Sequence, residues 1–388
     1  MIVNYSAKNL DLKVIYYIVT YEFIIHNIKL QLLFSRMKIL ITGIAGFVGS
    51  RLAEFFKTNI ADCEIIGIDN LSRRGSETNL EFLKTLGCKF IHGDIRVTDD
   101  VNDLPKVDWI VDCAANPSVL AGINGGTSQL IGHNLQGTLN ILEKCRKDNA
   151  GFILLSTSRV YSIDALNQIP LQEDNTRFSV KSGVSLPSGF TLEGVTESFS
   201  TQAPVSLYGA TKLASEVMAL EYAYTFGFPI WVNRCGVIAG AGQFGKIDQG
   251  IFSFWIYQWL LERNLGFIGF GGKGKQVRDF FSPEDLGSLL VKQMNSPNHT
   301  APKIINAGGG LKSAMSLYEL NDYCKQQFGF EKQIKTESET RAFDLPYYVT
   351  DNSEVTKHWN WTPQQSGIQI LDDIVKYARA NTQKLLLL

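Results

Sequence analysis

The stretch KILITGIAGFVGS, residues 38–50, joins a short apolar run to the beginning of an amphipathic segment. Gly43, Gly46 and Gly49 lie directly between the two parts. Glycines so placed let the chain turn tightly, let backbone N–H groups approach a pyrophosphate, and let a helix pack closely on a strand. The N-terminus of that helix adds a partial positive charge. The stretch therefore predicts a strand–turn–helix unit that binds a dinucleotide.

An acidic residue follows at the expected distance. Asp69 ends the next apolar run, EIIGID, residues 64–69. A carboxylate there can accept hydrogen bonds from the adenosine ribose and would repel a 2′-phosphate, which favours NAD over NADP. Arg73 and Arg74 follow in DNLSRRG and weaken that inference, because an arginine could pair with a phosphate. We expect NAD.

Short apolar runs rich in Val and Ile alternate with longer amphipathic stretches along the rest of the chain. Continuous hydrophobicity without polar alternation is typical of strands buried on both faces. Strand and helix alternating in this way predict an α/β fold with a doubly wound parallel sheet of the Rossmann type. The predicted strands are residues 38–43, 64–69, 89–94, 109–115, 152–158, 229–236 and 303–309, and the clearest predicted helices are residues 49–59, 137–147 and 207–226.

Two regions break this alternation. Residues 159–206 are rich in proline and glycine, and residues 237–280 are rich in glycine and aromatic side chains. Both follow strand ends on the side of the glycine turn, so we expect them to cover a substrate. The apolar stretch 14–25 is short for a membrane span, is interrupted by Glu22 and lacks a cleavage site. No membrane span is predicted, and Met37 looks like the natural beginning of the fold.

Charge and cysteine content limit the partners. The 388 residues include 37 basic and 38 acidic side chains, so no global field would gather nucleic acid or an anionic membrane. An anionic substrate must be held by a few local arginines. The six cysteines are scattered, with no CxxC pair and no histidine spacing suited to zinc. We expect no metal and a reducing cytoplasm.

The stretch SLYGATKLASE, residues 206–216, sets Tyr208 one helical turn before Lys212. Free tyrosine titrates near ~10, too high for an efficient base at neutral pH. A lysine ammonium one turn away, together with a positive nicotinamide ring, would lower the pKa of that tyrosine. Thr157, at the end of the fifth strand, could hydrogen-bond the same substrate oxygen, with Ser156 and Ser158 as alternatives. The pair alone could arise by chance, but its position predicts a reaction centre.

The glycine turn, the strand-end Asp69, Thr157 and the YGATK motif together resemble the extended short-chain dehydrogenase/reductase family. The resemblance extends from Met37 to about residue 380, and nucleotide-sugar epimerases are the most similar members. Residues 172–178, 240–256 and 272–281 are similar to epimerases that act at C2 of a CDP-linked dideoxyhexose. The resemblance implies an NAD-dependent isomerase that removes hydride from C2 and returns it to the other face of the keto sugar. It also implies a cytoplasmic homodimer of lipopolysaccharide biosynthesis, joined through helices near 128–147 and 207–226.

The residues and motifs, with this resemblance, assign roles to individual side chains. The predicted catalytic residues are Tyr208, Lys212 and Thr157. The predicted cofactor contacts are Gly43, Ala45, Gly46, Phe47, Val48, Gly49, Asp69, Asn70, Asp94, Ile95, Ala114, Ala115, Asn134, Ser156, Tyr208 and Lys212. The predicted contacts of a CDP-sugar are Ser118, Gln243, Asp248, Gln249, Arg278 and Arg341. Asp94 would meet the adenine amino group, and the two arginines would pair with the diphosphate through their planar forks.

The resemblance also divides the chain into regions. Residues 1–36 would be an N-terminal extension, and residues 37–235 with 280–308 would form the NAD-binding domain. Residues 236–279 and 309–382 would form a smaller α/β domain that binds the nucleotide sugar, built from C-terminal insertions.

Departures from the family pattern leave the substrate open. Sugar 4,6-dehydratases of the family carry an Asp-Glu pair where this chain has Ser158 and Arg159, so dehydration is not expected. Residues 113–122 also differ from the corresponding loop of the C2 epimerases. A 4-epimerase or 4-reductase of a UDP- or dTDP-linked sugar remains an alternative. A non-catalytic NAD-binding protein is another, and the tyrosine–lysine pair speaks against it.

Overall fold

The computed structural model describes residues 36–123, 125–246 and 249–386. The fold begins at Lys38, and the chain from there onward forms one compact unit. The predicted extension, residues 1–36, lies outside the described residues except for Arg36. Asp248, a predicted substrate contact, also lies outside them.

The strands and helices follow the predicted alternation. In chain order the strands are β1 (Lys38–Thr42), β2 (Glu64–Asp69), β3 (Lys89–His92), β4 (Trp109–Asp112), β5 (Gly151–Thr157), β6 (Leu171–Glu173), β7 (Phe178–Val180), β8 (Phe190–Thr191), β9 (Gly194–Val195), β10 (Ile230–Cys235), β11 (Val237–Ile238), β12 (Leu265–Ile268), β13 (Val277–Phe281), β14 (Ile304–Ala307), β15 (Ala314–Ser316), β16 (Ile334–Glu337) and β17 (Tyr347–Tyr348). The α-helices are α1 (Phe47–Asn59), α2 (Leu80–Thr85), α3 (Thr98–Asn102), α4 (Thr127–Ile131), α5 (Gly137–Asp148), α6 (Ile163–Asn167), α7 (Ser206–Phe226), α8 (Ile251–Leu260), α9 (Pro283–Met294), α10 (Leu317–Phe328), α11 (Ser353–Trp359), α12 (Gly367–Ala380) and α13 (Thr382–Leu386). A π-helical turn spans Gly132–Gln136, and a short 3₁₀ helix spans Ser158–Val160.

The central sheet has seven strands in the order β14-β10-β5-β4-β1-β2-β3, and every pairing in it is parallel. At its middle, Leu40 of β1 is in register with Ile66 on one side and Ile110 on the other. The order of strands reverses between β1 and β4, which makes a crevice at their carboxyl ends. This sheet confirms the predicted doubly wound α/β fold.

Burial on both faces explains why these runs form parallel strands. Ile39, Leu40 and Ile41 alternate between the two faces, and each is fully buried. Close contact with the helix layer requires glycine at one point, because a Cβ on Gly67 would lie 2.2 Å from the Ile44 side chain. Helices α5 and α7 cover the other face around an apolar cluster that includes Ile110, Phe152 and Val232.

A second, smaller sheet is built from β11, β13, β15 and β17, and β12 pairs separately with β16. Its apolar cluster includes Trp255, Phe280 and Leu371. The predicted boundary between residues 279 and 280 is wrong, because it falls inside β13. The strand continues to Phe281, and Ser282 then caps α9 by accepting a hydrogen bond from the Asp285 N–H at 3.0 Å.

The loop-rich insertion 159–206 contains local structure of its own. It forms helix α6 and two antiparallel hairpins, β6–β7 and β8–β9. The first hairpin is attached to the smaller region through the Phe178 N–H, which donates to the Lys275 carbonyl at 2.9 Å. No helix of the described chain has the length and apolarity needed to cross a bilayer. Its acidic, cysteine and histidine side chains form no group that could hold a metal ion.

Candidate active site

The glycine turn at the carboxyl end of β1 leaves no room for a Cβ at Gly43 or at Gly49. Gly43 adopts a left-handed φ of +64°, and a Cβ on it would lie 3.0 Å from the Ala114 Cα. A Cβ on Gly49 would lie 2.4 Å from the Gly43 carbonyl oxygen. Gly46 precedes α1 and donates its N–H to the same carbonyl at 3.0 Å. The turn thus presents bare backbone and the N-terminus of α1, which suits a pyrophosphate.

Asp69 braces this turn from the end of β2. Its carboxylate accepts hydrogen bonds from the Ala45 N–H at 3.0 Å and the Leu71 N–H at 2.8 Å. Burial raises the pKa of Asp69, and the backbone donors oppose that effect. The carboxylate is fixed beside the turn, where the ribose of a dinucleotide would lie.

Asp94, which follows β3, makes more contacts with neighbouring side chains than the sequence suggested. Asp94 forms an ion pair with Arg96 at 2.6 Å and accepts a hydrogen bond from Asn70 at 2.9 Å. The Arg96 guanidinium holds the pKa of Asp94 well below its usual range. Both oxygens of Asp94 are therefore engaged at the rim, and a contact with adenine would share them.

A cleft of about 120 Å³ lies between these strand ends. Of the predicted cofactor contacts, its wall includes Gly43, Gly46, Asp69, Asn70, Ile95, Ala114 and Ala115. Ala45, Phe47, Val48 and Gly49 belong to the adjoining turn and to the beginning of α1. The wall also includes His133, which the sequence reasoning missed; its only signal is its place next to Asn134 on the π-helical turn.

Asn134 joins the surrounding segments. Its amide oxygen accepts from the Asn116 N–H at 2.7 Å, and its amide nitrogen donates to the Asn116 carbonyl at 3.1 Å and to the Thr211 hydroxyl at 3.2 Å. It is fully buried. The structure therefore gives Asn134 a bracing role between the β4 end and α7.

Thr157 and Tyr208 meet beside this cleft. Thr157 is the last residue of β5, and its hydroxyl accepts a hydrogen bond from the Arg159 N–H at 3.2 Å. Tyr208, near the beginning of α7, lies close enough to Thr157 for that hydroxyl to lower the pKa of its phenol. The approach depends on Gly209, because a Cβ there would lie 2.2 Å from the Arg159 carbonyl oxygen. A glycine after the tyrosine thus lets α7 rest directly on the end of β5.

The charges around Tyr208 differ from the sequence-based expectation. Tyr208 is 7% exposed, and burial raises its pKa, while the hydrogen bond from Thr157 and the charge of Arg159 lower it. Burial lowers the pKa of Lys212, and the nearby carboxylate of Asp112 opposes that effect. Among the chain's own groups desolvation outweighs the nearby charge, whereas the expected lowering of the tyrosine pKa also counted a positive nicotinamide ring.

A buried ion pair supports the reaction centre from behind. Glu216 of α7 and Arg234 of β10 pair at 2.8 Å, and Ser156 donates its hydroxyl hydrogen to Glu216. Arg234 also lies over the Tyr161 ring, 5.2 Å from its centre. The Ser156 side chain, a predicted cofactor contact, is committed to this pair, which leaves Thr157 as the hydroxyl at Tyr208. The sequence reasoning missed the pair because its two members lie on different elements.

A second cavity, of about 250 Å³, lies beyond Tyr208 toward the smaller sheet and is called the sugar cavity here. Among the charged residues of its described wall, Arg159, Arg278 and Arg341 stand against a single carboxylate, Asp344. Arg278 donates to Asp344 at 3.2 Å and to the Leu345 carbonyl at 2.8 Å. Burial and the neighbouring Arg159 lower the pKa of Arg278 to about 10, so it is charged at neutral pH. The excess of half-buried cations suits an anionic ligand.

The other predicted substrate contacts differ in their surroundings. Gln249 lies in the wall of the sugar cavity, and Ser118 caps the turn beside it by accepting from the Leu120 N–H at 3.3 Å. Gln243 bonds within its own turn, donating to the Ile238 carbonyl at 3.0 Å and accepting from the Ser253 hydroxyl at 3.1 Å. Its amide supports the segment between β11 and α8.

Arg73, a candidate partner of a 2′-phosphate, is engaged elsewhere. Its guanidinium donates to the Gln249 side chain and, at 3.0 Å, to the Phe244 carbonyl. Arg73 lines the cofactor cleft and Gln249 lines the sugar cavity. These contacts favour NAD over NADP and join the two sites.

A bare glycine turn at the switch point of a parallel sheet, with a buried tyrosine and threonine beside it, defines a dinucleotide-dependent enzyme that handles a hydroxyl or carbonyl group. Residues 39–308 match the family described as the NAD dependent epimerase/dehydratase family. The chain belongs to this family. This confirms the sequence resemblance, the enzyme class and NAD as the cofactor.

Similar proteins narrow the range of chemistry. The chain is 34% identical to the CDP-paratose 2-epimerase of Salmonella typhi, over 87% of this chain and 98% of that protein. It is 27% identical to the UDP-glucuronate 4-epimerase of Thermodesulfobacterium geofontis, over 89% and 97% of the two chains. Among solved structures, UDP-glucuronic acid 4-epimerase from Bacillus cereus, in complex with UDP-glucuronic acid and NAD, superimposes with a TM-score of 0.70 at 25% identity. That match covers 89% of this chain and 99% of the other.

Proposed function

We propose that this protein is an NAD-dependent epimerase acting at C2 of a CDP-linked dideoxyhexose, interconverting CDP-paratose and CDP-tyvelose. The observation that carries the proposal is the similarity to the CDP-paratose 2-epimerase, which extends over nearly the whole of that protein. The sugar cavity supports it, because its half-buried arginines suit a nucleotide diphosphate.

The residues of the reaction centre divide the work of proton transfer and positioning. Tyr208 as phenolate removes the proton of the C2 hydroxyl, and Thr157 holds the same oxygen through its hydroxyl. NAD, when bound, accepts the C2 hydride and gives it back. Tyr208 then returns its proton to the oxygen, so the sugar differs from the substrate only in configuration. Burial lowers the pKa of Lys212, and the nearby Asp112 and Glu216 carboxylates oppose that effect and favour its charged form.

Inversion requires the keto sugar to present its other face between the two transfers. Arg278 and Arg341 would hold the diphosphate while the sugar turns, because their charges lie in the wall of the sugar cavity. We place the nucleotide-sugar-binding region in residues 236–281 and 309–382, with the boundary moved to the end of β13. Cofactor-binding residues lie in the remainder of the fold.

Dehydration of the sugar is disfavoured by the same geometry. The position of an acid beside the tyrosine is filled by Ser158 and Arg159, and the Asp344 carboxylate is bound to Arg278. Epimerisation at C4 of a UDP-linked sugar is the second candidate. It is favoured by the similarity to UDP-glucuronate 4-epimerase, since Tyr208, Thr157 and Lys212 would serve either carbon.

Purified protein offered CDP-, UDP-, GDP- and dTDP-linked sugars in heavy water, followed by NMR, tests the proposal. We expect a CDP-linked dideoxyhexose to invert at C2 without gaining deuterium at that carbon, because the hydride stays on the enzyme. Inversion at C4 of a UDP-linked sugar would select the second candidate. Deuterium at C5 with loss of water would contradict both.

We further propose that the protein is a homodimer joined through α4, α5 and α7. Large apolar side chains on α4 and α7 face solvent in the single chain: Ile131 is 43% exposed, Val217 55% and Tyr224 89%. Such a patch is typical of an interface between protein surfaces. Light scattering should give twice the chain mass, and Val217→Glu should give the monomer mass.

A further inference from the structure

Arg159 occupies a fixed place between the reaction centre and the sugar cavity. It follows Thr157 by two residues, within the short helix Ser158–Val160. Its side chain lies in the wall of the sugar cavity, where its Nη1 donates to the Phe343 carbonyl at 3.0 Å. Its backbone carbonyl packs closely against Gly209, the residue that follows Tyr208. The backbone and side chain of Arg159 thus contact both sites.

The guanidinium keeps its positive charge for a ligand. The Phe343 carbonyl that anchors it is neutral, and the nearby Asp344 carboxylate is already bound to Arg278. Arginine remains protonated in proteins, even where burial lowers its pKa, as it does here. Arg159 is therefore a cation held in place without being neutralised.

Arg159 is one of the charged or titratable groups near the Tyr208 phenol, together with residues at the ends of β5 and β10. Thr157 at the end of β5 contributes a hydroxyl, and Cys235 at the end of β10 contributes a thiol whose pKa burial raises to about 12. That thiol is neutral at physiological pH. Lys212, one turn further along α7, interacts with Asp112, Cys113, Glu216 and Cys235. Arg159 interacts electrostatically with the Tyr208 phenol itself.

We propose that Arg159 is a further catalytic residue, a fixed guanidinium that faces both Tyr208 and the oxygen of the sugar carbon being oxidised. The proton moves from the sugar hydroxyl to the Tyr208 phenolate and later back, and Arg159 neither gains nor loses one. It stabilises the negative charge that sits first on the phenolate and then on the sugar oxygen. This rests on the proposed function only in requiring that a sugar hydroxyl be oxidised; neither the carbon nor the nucleotide matters.

Removing the charge should therefore raise the pKa of Tyr208. An opposite charge a few ångströms away lowers a pKa by about 1–3 units, and its loss reverses that shift. The phenolate is the form that accepts the proton, so activity is present above the tyrosine pKa and is lost as pH falls through it. In Arg159→Met the acid side of the kcat profile should move to higher pH by about one unit or more. Arg159→Lys should recover most of the shift.

The test separates this effect from the proposed reaction. Tyr208 is titrated by phenolate absorbance in the NAD-loaded enzyme without substrate, as the difference between each protein and the same protein carrying Tyr208→Phe. We expect an upward shift of the midpoint in Arg159→Met, with NAD content unchanged, whichever sugar proves to be the substrate. The kcat profile is then measured on the sugar identified by NMR.

Arg341→Met is the matched control, because it removes another arginine from the same cavity. It should raise KM for the nucleotide sugar and leave the Tyr208 midpoint in place. Arg159→Met could instead behave like Arg341→Met, changing only KM and leaving the Tyr208 midpoint and the kcat profile where they are. In that case Arg159 only holds the segment around Phe343 and the proposal is wrong. A variant that fails to fold is replaced by Arg159→Gln, to which the same outcomes apply.

Discussion

The cofactor cleft and the sugar cavity are lined by different kinds of groups. The cleft consists of a backbone turn, small side chains and one braced carboxylate, and its wall is drawn from residues 43–133. The sugar cavity is lined by arginines and large apolar side chains drawn from residues 119–344. In the proposed function the first holds NAD, the cofactor of the family, and the second holds the nucleotide sugar, which differs among the relatives. The difference then teaches that the constant ligand is bound mainly by backbone and the variable ligand by side chains.

Tyr208 is the proposed base of the reaction, so changing it should have the largest effect. Tyr208→Phe should lower kcat by about 10²- to 10⁴-fold, since a positioned acid–base group contributes about that much. NAD content should stay at the wild-type level, because the cleft wall is untouched. Steady-state kinetics measure kcat, and the absorbance of released cofactor measures the NAD content.

The matched control is Tyr222→Phe on the same helix, which removes only the hydrogen bond to Glu143. Full activity in Tyr208→Phe would show that Tyr208 is not the base.

Arg278 tests the side-chain character of the sugar cavity. Arg278→Met should raise KM for the nucleotide sugar by about 10- to 100-fold, the range for losing a hydrogen bond to a charged group. It should leave NAD affinity unchanged, as measured by calorimetry. The control is Arg379→Met, which removes an exposed arginine that bonds the Gln327 carbonyl. A parallel loss of NAD affinity would show that the two sites are not separate.

Gly49 tests the backbone character of the cofactor cleft. Gly49→Ala should lower NAD affinity about tenfold and cost about 1–3 kcal/mol of stability, because the new Cβ meets the Gly43 carbonyl. Calorimetry and thermal unfolding follow the two effects. Gly266→Ala is the contrast, since a Cβ there lies 3.4 Å from its nearest neighbour and NAD affinity should not change. Equal effects of both changes on NAD affinity would contradict the role given to the turn.

Arg73 should have the smallest effect, because it acts where the two sites join. Arg73→Ala removes the bonds to Gln249 and Phe244, and labelled NAD should then exchange about two- to tenfold faster. Gln249→Ala should act in the same direction, and combining the two should add little. Arg379→Ala removes an exposed arginine that bonds the Gln327 carbonyl and should exchange as the wild type does. An Arg73→Ala protein that exchanges no faster than Arg379→Ala would separate the two sites again.

The sequence was sufficient where the determinants are local. The turn at Gly43, Gly46 and Gly49 and the buried strands follow from spacing and hydrophobicity alone. The meeting of Tyr208 and Thr157 also followed, because parallel strands end at one edge of the sheet. The smaller region was harder: β13 continues past the expected boundary because Phe280 and Phe281 pair with Val237 and Ile238 of β11, about forty residues earlier in the chain.

The charge pattern of the site could not be predicted for a similar reason. Arg159 meets the Phe343 carbonyl, and Arg73 meets Gln249, across more than a hundred and fifty residues. The raised pKa of Tyr208 depends on how completely the surrounding segments exclude water. No spacing within one segment records these contacts, so the resemblance to relatives supplied Arg278 and Arg341 but not Arg159.

The order in which the two walls occur along the chain has a consequence for synthesis. The described residues that line the cofactor cleft have all been made by His133, whereas the sugar cavity is incomplete until Asp344 has left the ribosome. Because the N-terminal parts of a chain generally fold first, the growing chain would complete the wall of the cofactor cleft before the wall of the sugar cavity. Tyr208, the proposed base, is made between the two.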